Sequence, residues 1–305
     1  MSVNNSNTRL VVKDNALIEA SFNLSLVEQR LMLLAIVEAR EIPQLTFETP
    51  IEIRVTDYIK QYNANENSAY NQLQEASNNL FNRYFSYYDK EKDKKYKERW
   101  VYKSSYLDSK GTIEIFFTPT VIRMISRLEA EFTKYLLEHV SEFNSKYSIR
   151  LFELISKWVS LGNTCKYGIE ELRGKLGVEE NEYKAIADLK KRVIDVAVKE
   201  INNAELVPFK LKYEQYKEGR TISHILFKIV KKKIVEPVKV IKLTEKQKEM
   251  FSDRLARNNN FQDQSGFNAE AGEDYQDYAK RIYSRLDDST YIAKWMPYLI
   301  EVGYK

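Results

Sequence analysis

The sequence is poor in the residue types that build metal sites, disulfides and most catalytic centres. Its 305 residues include a single cysteine (Cys165), two histidines (His139 and His224) and nine glycines. One cysteine excludes an internal disulfide framework and a cysteine-based zinc site, and two histidines leave little for metal binding or histidine-centred catalysis. The nucleotide-binding patterns GxGxxG and GxxxxGKS/T are absent. We therefore predict a protein that is not an enzyme and holds neither metal nor cofactor.

Long apolar stretches are also missing. No segment approaches the ~20 consecutive apolar residues that a membrane-spanning helix needs. The first ten residues, MSVNNSNTRL, lack the charged region and apolar core of a secretion signal. The apolar fraction of 43% nevertheless suffices for ordinary hydrophobic cores. These features predict a soluble, cytoplasmic protein with no membrane partner.

The net charge of +4 is spread unevenly along the chain. Residues 1–143 carry 18 basic and 20 acidic side chains, residues 144–233 carry 19 and 12, and residues 234–305 carry 11 and 12. The middle stretch thus has an excess of seven positive charges. Such a local excess favours a polyanion such as nucleic acid, because each neutralised phosphate releases condensed counterions. A solvated lysine-rich face is the alternative explanation.

One order of predicted elements occurs twice. In the first copy, Ser25 and Glu28 form a capping-box motif before a helix that extends to about residue 40. A strand, a short helix, a longer helix and two hairpin strands follow over residues 51–55, 57–62, 68–85, 100–107 and 112–118. The second copy gives the same order over residues 145–159, 164–167, 169–176, 183–202, 208–216 and 221–230.

This order is typical of a winged helix-turn-helix domain, so we predict an α+β fold with two such domains in tandem. The first domain is assigned to residues 1–143 and the second to residues 144–233. Residues 234–305 form a C-terminal extension. Within it, the polar stretch 258–274 is predicted to be a flexible linker, and residues 275–298 regain helical spacing.

The helix predicted over residues 183–202 has an apolar face and a basic face. Its apolar face consists of Ile186, Leu189, Val193, Val196 and Ala197. The second helix of a helix-turn-helix enters the major groove with its first residues toward base edges, and here the exposed side holds Lys184, Asp188, Lys191 and Arg192. Arg192 could bind guanine bidentately, Asp188 could accept from cytosine, and Lys190 and Lys191 could bind phosphates. An ordinary solvated amphipathic helix is the alternative.

The hairpin after this helix is the candidate wing. It carries the basic residues Lys210, Lys212, Lys217, Arg220 and Lys228. Wings typically contact the DNA backbone or minor groove, although lysines on a hairpin also protect against edge aggregation. In the first domain, the helix over 68–85 has only Arg83 as a basic residue, and the lysine cluster at 90–97 alternates with acidic residues and is predicted to be a solvated loop. We expect the first domain to contribute protein contacts, with secondary DNA contacts.

Three ordered motifs resemble plasmid replication initiators of the Rep_3 superfamily. They are LVVKDNALIEASFNLSLVEQRLMLLAIVEAR at residues 10–40, YSIRLFELISKW at 147–158, and YKAIADLKKRVIDVAVKEIN at 183–202. Gly219, Arg220 and Phe227 extend the match into the wing. The resemblance covers roughly residues 9–230 and leaves out the last 70 or so.

The resemblance implies two winged-helix domains with different roles. The second would read double-stranded origin repeats (iterons), with base-reading positions at Ala185, Asp188 and Arg192. Arg150 would contact phosphate or satisfy a buried carboxylate. The first would form a homodimer in the repressor form and contact the DNA backbone when a monomer binds the repeats. Such initiators carry no nuclease or ATPase site, recruit host helicase and primase, and often repress their own promoter. A winged-helix transcriptional regulator without origin function is the alternative.

Overall fold

The computed structural model describes residues 9–89, 91–107, 111–126, 131–232, 243–264, 266–270 and 272–304. The chain divides into two compact units, residues 1–232 and residues 233–305. The first unit contains two modules that each combine helices with an antiparallel hairpin. The described part of the second unit contains four helices.

The first module is built around one buried helix, α2. Its elements are β1 (Leu10–Asp14), α1 (Asn15–Glu19), α2 (Leu26–Arg40), β2 (Ile51–Arg54), α3 (Val55–Tyr62), α4 (Glu66–Leu80), β3 (Tyr84–Asp89), β4 (Lys94–Arg99), β5 (Val101–Leu107), β6 (Thr112–Phe117), α5 (Pro119–Ser126) and β7 (Phe132–Leu136). The predicted capping box is confirmed, since the Ser25 hydroxyl accepts from the Glu28 N–H at 3.2 Å and the Ser25 N–H donates to the Glu28 carboxylate at 2.6 Å. Residues 31–37 are all buried, as expected for a helix that is apolar on every side.

The hairpin predicted at the end of the first module is confirmed as β5 and β6. With β2 they form a sheet in the order β2-β6-β5. Ile51 pairs with Ile115 and Ile53 with Ile113, and all four side chains are buried on the core side of the sheet. Residues 108–110, in the connection between these two strands, lie outside the described residues.

Residues 81–99 correct the sequence prediction. The helix predicted to end at residue 85 ends at Leu80, and the lysine-rich segment predicted as a loop forms much of a hairpin, in which β3 pairs antiparallel with β4. Phe85 and Tyr87 lie on its buried side, where the ring centroids of Phe85 and Trp100 are 4.6 Å apart. Buried aromatic and exposed charged positions alternate in this hairpin, but the many charged residues of the segment are more typical of a loop, so the sequence did not indicate strands. Lys90 lies outside the described residues.

The second module follows the predicted order. It comprises α6 (Lys146–Ser156), β8 (Tyr167–Gly168), α7 (Ile169–Leu176), α8 (Ile186–Leu189), α9 (Asp195–Asn203), β9 (Phe209–Glu218) and β10 (Thr221–Lys231). A π-helical segment (Lys190–Ile194) connects α8 to α9, so that one helix runs from residue 186 to residue 203. The sheet order is β8-β10-β9. The strand predicted over 164–167 is shorter and later than predicted, since β8 consists of Tyr167 and Gly168, which pair with Ile225 and His224.

Arg150 is buried between the two modules, which corrects its assignment as a candidate phosphate contact. Only 1% of its side chain is exposed. Its guanidinium donates to Glu153 at 2.6 Å and to the carbonyls of Ile18 and Ala20 at 2.9 Å each. Glu153 also accepts from Lys13 in β1 at 2.6 Å. Arg150 therefore satisfies a buried carboxylate, and this network joins α6 to β1 and to the end of α1.

The same network keeps Glu153 ionised. Burial alone would raise the pKa of this carboxyl, but the charges of Lys13 and Arg150 and hydrogen bonds from Lys13 and Tyr135 lower it below its usual value. A buried ion pair persists only where hydrogen bonds compensate for desolvation, as they do here. Because α6 binds both modules, the domain boundary at residue 143 stays a prediction.

The C-terminal unit has its own hydrophobic core. Its helices are α10 (Glu245–Ala256), α11 (Asn259–Gln264), α12 (Tyr275–Arg285) and α13 (Ser289–Glu301). The prediction of a flexible linker over 258–274 is wrong, because α11 lies within it and the buried ring of Phe261 packs 5.0 Å from that of Trp295. Isolated aromatic residues in a polar stretch give no periodic signal, so the sequence did not indicate this packing.

Candidate nucleic-acid interface

A buried arginine shapes the turn between α7 and the following helix. The guanidinium of Arg173 donates to the carbonyls of Tyr183 at 2.9 Å, Glu182 at 2.5 Å and Glu179 at 3.2 Å. These bonds fold residues 179–183 back onto α7. Sequence reasoning missed this role, because a basic residue near the end of a helix usually lies in solvent.

Gly177 ends α7 in a left-handed conformation with φ of 72°. A Cβ atom at this position would lie only 2.4 Å from the Phe22 carbonyl oxygen. Glycine is therefore required at this position for two reasons, namely its positive φ and the close approach of the first module's backbone. The turn before the candidate recognition helix is thus supported from both modules.

The candidate recognition helix begins later than predicted. Tyr183 has a φ of 43°, and the first helical residue is Ile186, with Ala185 as N-cap. Lys184 and Ala185 accordingly lie in the turn, both exposed, and they precede the helix. A positive φ for a tyrosine has no local sequence signal, since it depends on the hydrogen bond from Arg173.

The π-helical segment changes which residues face the core. The Asp195 N–H donates to the Lys190 carbonyl, one residue further back than in an α-helix. Val193 and Ile194 are consequently both buried, although only Val193 was predicted to be, and Val196 is half-buried. The inserted residue rotates the first turn of the helix relative to the rest.

The outer face of this helix exposes the predicted charged side chains. Lys191 is exposed, Lys190 is half-buried, and 64% of the Arg192 side chain is accessible. Arg192 Nε lies 4.0 Å from a carboxylate oxygen of Asp188, one helical turn earlier. Such a solvated pair is weak, so Arg192 can exchange it for another acceptor at little cost.

Two contacts fix the hairpin to the recognition helix. Asn202 forms a pair of hydrogen bonds with the backbone of Leu211, accepting at 2.6 Å and donating at 2.9 Å. The Tyr213 hydroxyl donates to the Asp195 carboxylate at 2.6 Å. Both helix residues lie on α9, beyond the π-helical segment, so the hairpin is fixed to this part of the helix.

The tip of the hairpin presents Lys217 and Arg220 on either side of the turn. Both are exposed, and Gly219 between them has a φ of 61°. Lys210 and Lys212 are exposed on β9, and Lys228 on β10 pairs with Glu214 at 2.5 Å. The second module thus exposes basic side chains on its second helix and along its hairpin.

Among the described residues, no cluster of three or more His, Cys, Asp or Glu side chains is placed to hold a metal ion. Over the same part of the chain, no helix has the length and apolarity to cross a membrane.

A short helix, a turn, a second helix and a hairpin define a winged helix-turn-helix module. The chain has two such modules, one from α3, α4, β5 and β6, and one from α7, α8, α9, β9 and β10. The protein is therefore a tandem winged-helix protein of the α+β class, as predicted.

Comparison with protein families narrows this class. A family model described as "Initiator Replication protein, WH1" matches residues 10–156, and a second, "Initiator Rep protein, WH2", matches residues 168–229. The chain belongs to this family of replication initiators, which confirms the resemblance seen in its motifs. The first family model includes α6, which the sequence prediction had placed in the second domain.

Three individual proteins are similar to this chain. An uncharacterized 27.6 kDa protein of Escherichia coli is 26% identical over 236 residues, covering 73% of this chain and 96% of that protein. A replication initiation protein of Escherichia coli is 29% identical over 125 residues, covering 40% of this chain and 38% of that protein. The crystal structure of Pi initiator protein in complex with iteron DNA has a TM-score of 0.62 and 21% identity, covering 75% of this chain and 100% of that one. This last likeness supports the fold.

Proposed function

We propose that this protein initiates plasmid replication by binding repeated double-stranded origin sequences. The observation that carries the proposal is the second module, where the exposed Lys191 and Arg192 lie on a helix that is fixed to a hairpin tipped by Lys217 and Arg220. Membership of the initiator family supports it, as does the iteron DNA bound by the structurally similar Pi initiator protein. The helix would read bases, and the hairpin would contact the backbone.

Each candidate residue has a chemical role in this proposal. Arg192 donates to guanine in the major groove, and Asp188 accepts from the amino group of cytosine. Lys190 and Lys191 bind phosphates. Lys184 and Ala185 approach the DNA from the turn, where the methyl group of Ala185 offers apolar contact alone. These roles need no metal and no nucleophile.

The first module would mediate association between two copies of the protein. We propose that it forms the homodimer of a repressor form, which binds the promoter of the protein's own gene, and that a monomer binds the origin repeats. Recruitment of the host helicase would follow opening of the origin in the cytoplasm. The excess of acidic over basic residues in 1–143 supports a module that contributes less to DNA binding than the second.

Footprinting on the plasmid's own origin tests the proposal. We expect protection of a repeated sequence and, in the host, replication of a plasmid that carries those repeats. Protection of a promoter without support of replication would instead indicate a transcriptional regulator. Supercoiled origin DNA incubated with the protein and Mg²⁺ should stay intact, and efficient nicking at one site would contradict a non-enzymatic initiator.

A further inference from the structure

The hairpin of β3 and β4 has one face that packs on the core and one that faces solvent. The cross-strand pairs Tyr84–Arg99, Ser86–Lys97 and Tyr88–Lys95 lie on the outer side, because side chains alternate along a strand. We call these six residues the ribbon face. The inner side carries the buried Phe85 and Tyr87, which pack toward Trp100 and Tyr96.

The ribbon face combines exposed aromatic rings with cations. Tyr84 is 50% exposed and Tyr88 is 46% exposed, and Lys95, Lys97 and Arg99 are all exposed. Lys97 Nζ lies 3.5 Å from the centroid of the Tyr84 ring. None of the six positions carries a carboxylate, so the face has three positive charges within a module that is acidic overall.

A further exposed ring extends this surface. Phe81, just before β3, is 42% exposed, and the Arg99 guanidinium lies 5.7 Å from its ring centroid. Arg99 also donates to the Phe81 carbonyl at 2.6 Å, which holds it beside the ring. Rings and cations therefore alternate along the hairpin from Phe81 to Tyr88.

We propose that the ribbon face binds single-stranded DNA. Exposed aromatic rings stack on unpaired bases, and neighbouring Lys and Arg side chains neutralise the phosphates between them. The bases of a duplex are stacked on one another, so their faces are covered and exposed rings cannot stack on them. The alternation of three rings with three cations suits a strand whose bases are open.

A second copy of the chain fits this surface less well. The open edge of the hairpin is β4, whose sequence KKYKER contains four basic residues. Antiparallel pairing with another β4 would bring like charges together, which destabilises strand association. The other strand, β3, is bridged on its outer edge by Ser21, whose N–H donates to the Ser86 carbonyl at 2.8 Å. The charge therefore favours an anionic ligand.

Single-strand binding does not require that the second module read origin repeats. Its use in replication, which is to hold a strand once the origin opens, does rest on the function proposed above. Single-strand binding and repeat recognition can fail separately, because the first is tested with an oligonucleotide that lacks the repeats and the second with a duplex that contains them.

The test uses the full chain and a labelled oligothymidylate of about 20 nucleotides, with binding measured by fluorescence anisotropy. We expect the double variant Tyr84→Ala/Tyr88→Ala to bind about tenfold more weakly or worse, because two stacking rings are lost. Tyr84→Phe/Tyr88→Phe should keep most of the affinity, since both rings remain. Tyr102→Ala is the matched control, because this 41% exposed tyrosine lies on β5, outside the ribbon face.

The outcomes separate three kinds of surface. A loss on oligothymidylate no larger than that of Tyr102→Ala would overturn the proposal. An equal loss on duplex origin repeats would make the ribbon face a duplex contact. A shift in the monomer–dimer balance by sedimentation, with unchanged oligonucleotide affinity, would make it a protein interface. Circular dichroism of each variant confirms that the changes leave the fold intact, as expected for exposed side chains.

Discussion

The second helix of each helix-turn-helix shows how the two modules differ. In the first module, residues 66–80 of α4 contain neither lysine nor arginine and are rich in asparagine and glutamine. In the second module, Lys190, Lys191 and Arg192 follow one another at the corresponding place. The two modules share an order of elements, yet only the second has basic side chains on the second helix of its helix-turn-helix.

The modules also differ in what lies between the second helix and the hairpin. The second module connects α9 to β9 by a short loop at residues 204–208. The first module places the extra hairpin of β3 and β4 there, and this hairpin exposes the basic residues Lys95, Lys97 and Arg99 beside Tyr84 and Tyr88. One cluster of positive charge in the first module therefore lies on this extra hairpin, whereas in the second module basic residues lie on the second helix itself.

The largest expected effect concerns the network that joins the modules. Glu153→Ala leaves Lys13 and Arg150 as buried cations without their carboxylate, which should cost about 3–5 kcal/mol of unfolding free energy. Urea denaturation of the full chain measures this loss. Glu153→Gln, which keeps the shape and removes the charge, should also destabilise.

The control is an ion pair that lies in solvent. Glu214→Ala removes the partner of Lys228 on the exposed hairpin and should leave the urea midpoint nearly unchanged. If Glu153→Ala were as mild as this control, the network would not hold the modules together, and they would have to be compared as independent domains.

Gly177→Ala should have the next largest effect. The new methyl group would meet the Phe22 carbonyl at 2.4 Å, in a residue whose φ is already 72°, so we expect a loss of about 2–4 kcal/mol. Gly219→Ala is the matched control, since its φ is 61° but its Cβ would meet no atom within 4 Å among the described residues. It should cost about 1 kcal/mol, and an equal cost at both positions would show that contact with the first module does not constrain the turn.

Much of the fold follows from local sequence signals. The capping box at Ser25, the glycine that ends α7 and the alternation in β5, β6, β9 and β10 each act through neighbouring residues, so the elements were predicted close to their true bounds. Charged residues such as Arg192 and Lys217 could also be identified from the sequence as exposed candidates for DNA contact, because the polar face of an amphipathic helix and the tip of a hairpin lie in solvent.

The rest depends on distant contacts. Arg150 was a candidate DNA ligand until the structure showed that its partners Ile18 and Ala20 lie 130 or more residues away. The late start of the recognition helix depends on the bonds from Arg173 to the turn. Phe261 is a single anchor in a polar stretch. None of these has a periodic pattern, so the sequence alone favours the wrong environment for each.

Arg192→Ala tests the difference between the two recognition helices directly. We expect a loss of about 1–3 kcal/mol in binding to the cognate repeat, with relaxed specificity at one base position. Asn79→Ala, at an exposed position near the end of α4, is the control and should change the affinity less than twofold, on the order of experimental error. Titration of both variants on a repeat and on single-base mutants of it measures these changes in affinity. If Arg192→Ala bound the repeat with wild-type affinity, Arg192 would not be a base-reading residue.

Lys217→Ala should have the smallest effect and the clearest signature. Lys217 is exposed at the hairpin tip, where a contact to one phosphate would be independent of sequence. Binding should therefore weaken by a similar factor on cognate and unrelated duplexes, and the slope of log affinity against log salt should fall by about one. The matching change in the first module, Lys97→Ala, should reduce the salt slope for oligothymidylate and leave that for the duplex repeat unchanged. If instead Lys97→Ala reduced the duplex slope as Lys217→Ala does, the ribbon face would be a duplex contact like the hairpin tip of the second module, and its assignment to single-stranded DNA would be wrong.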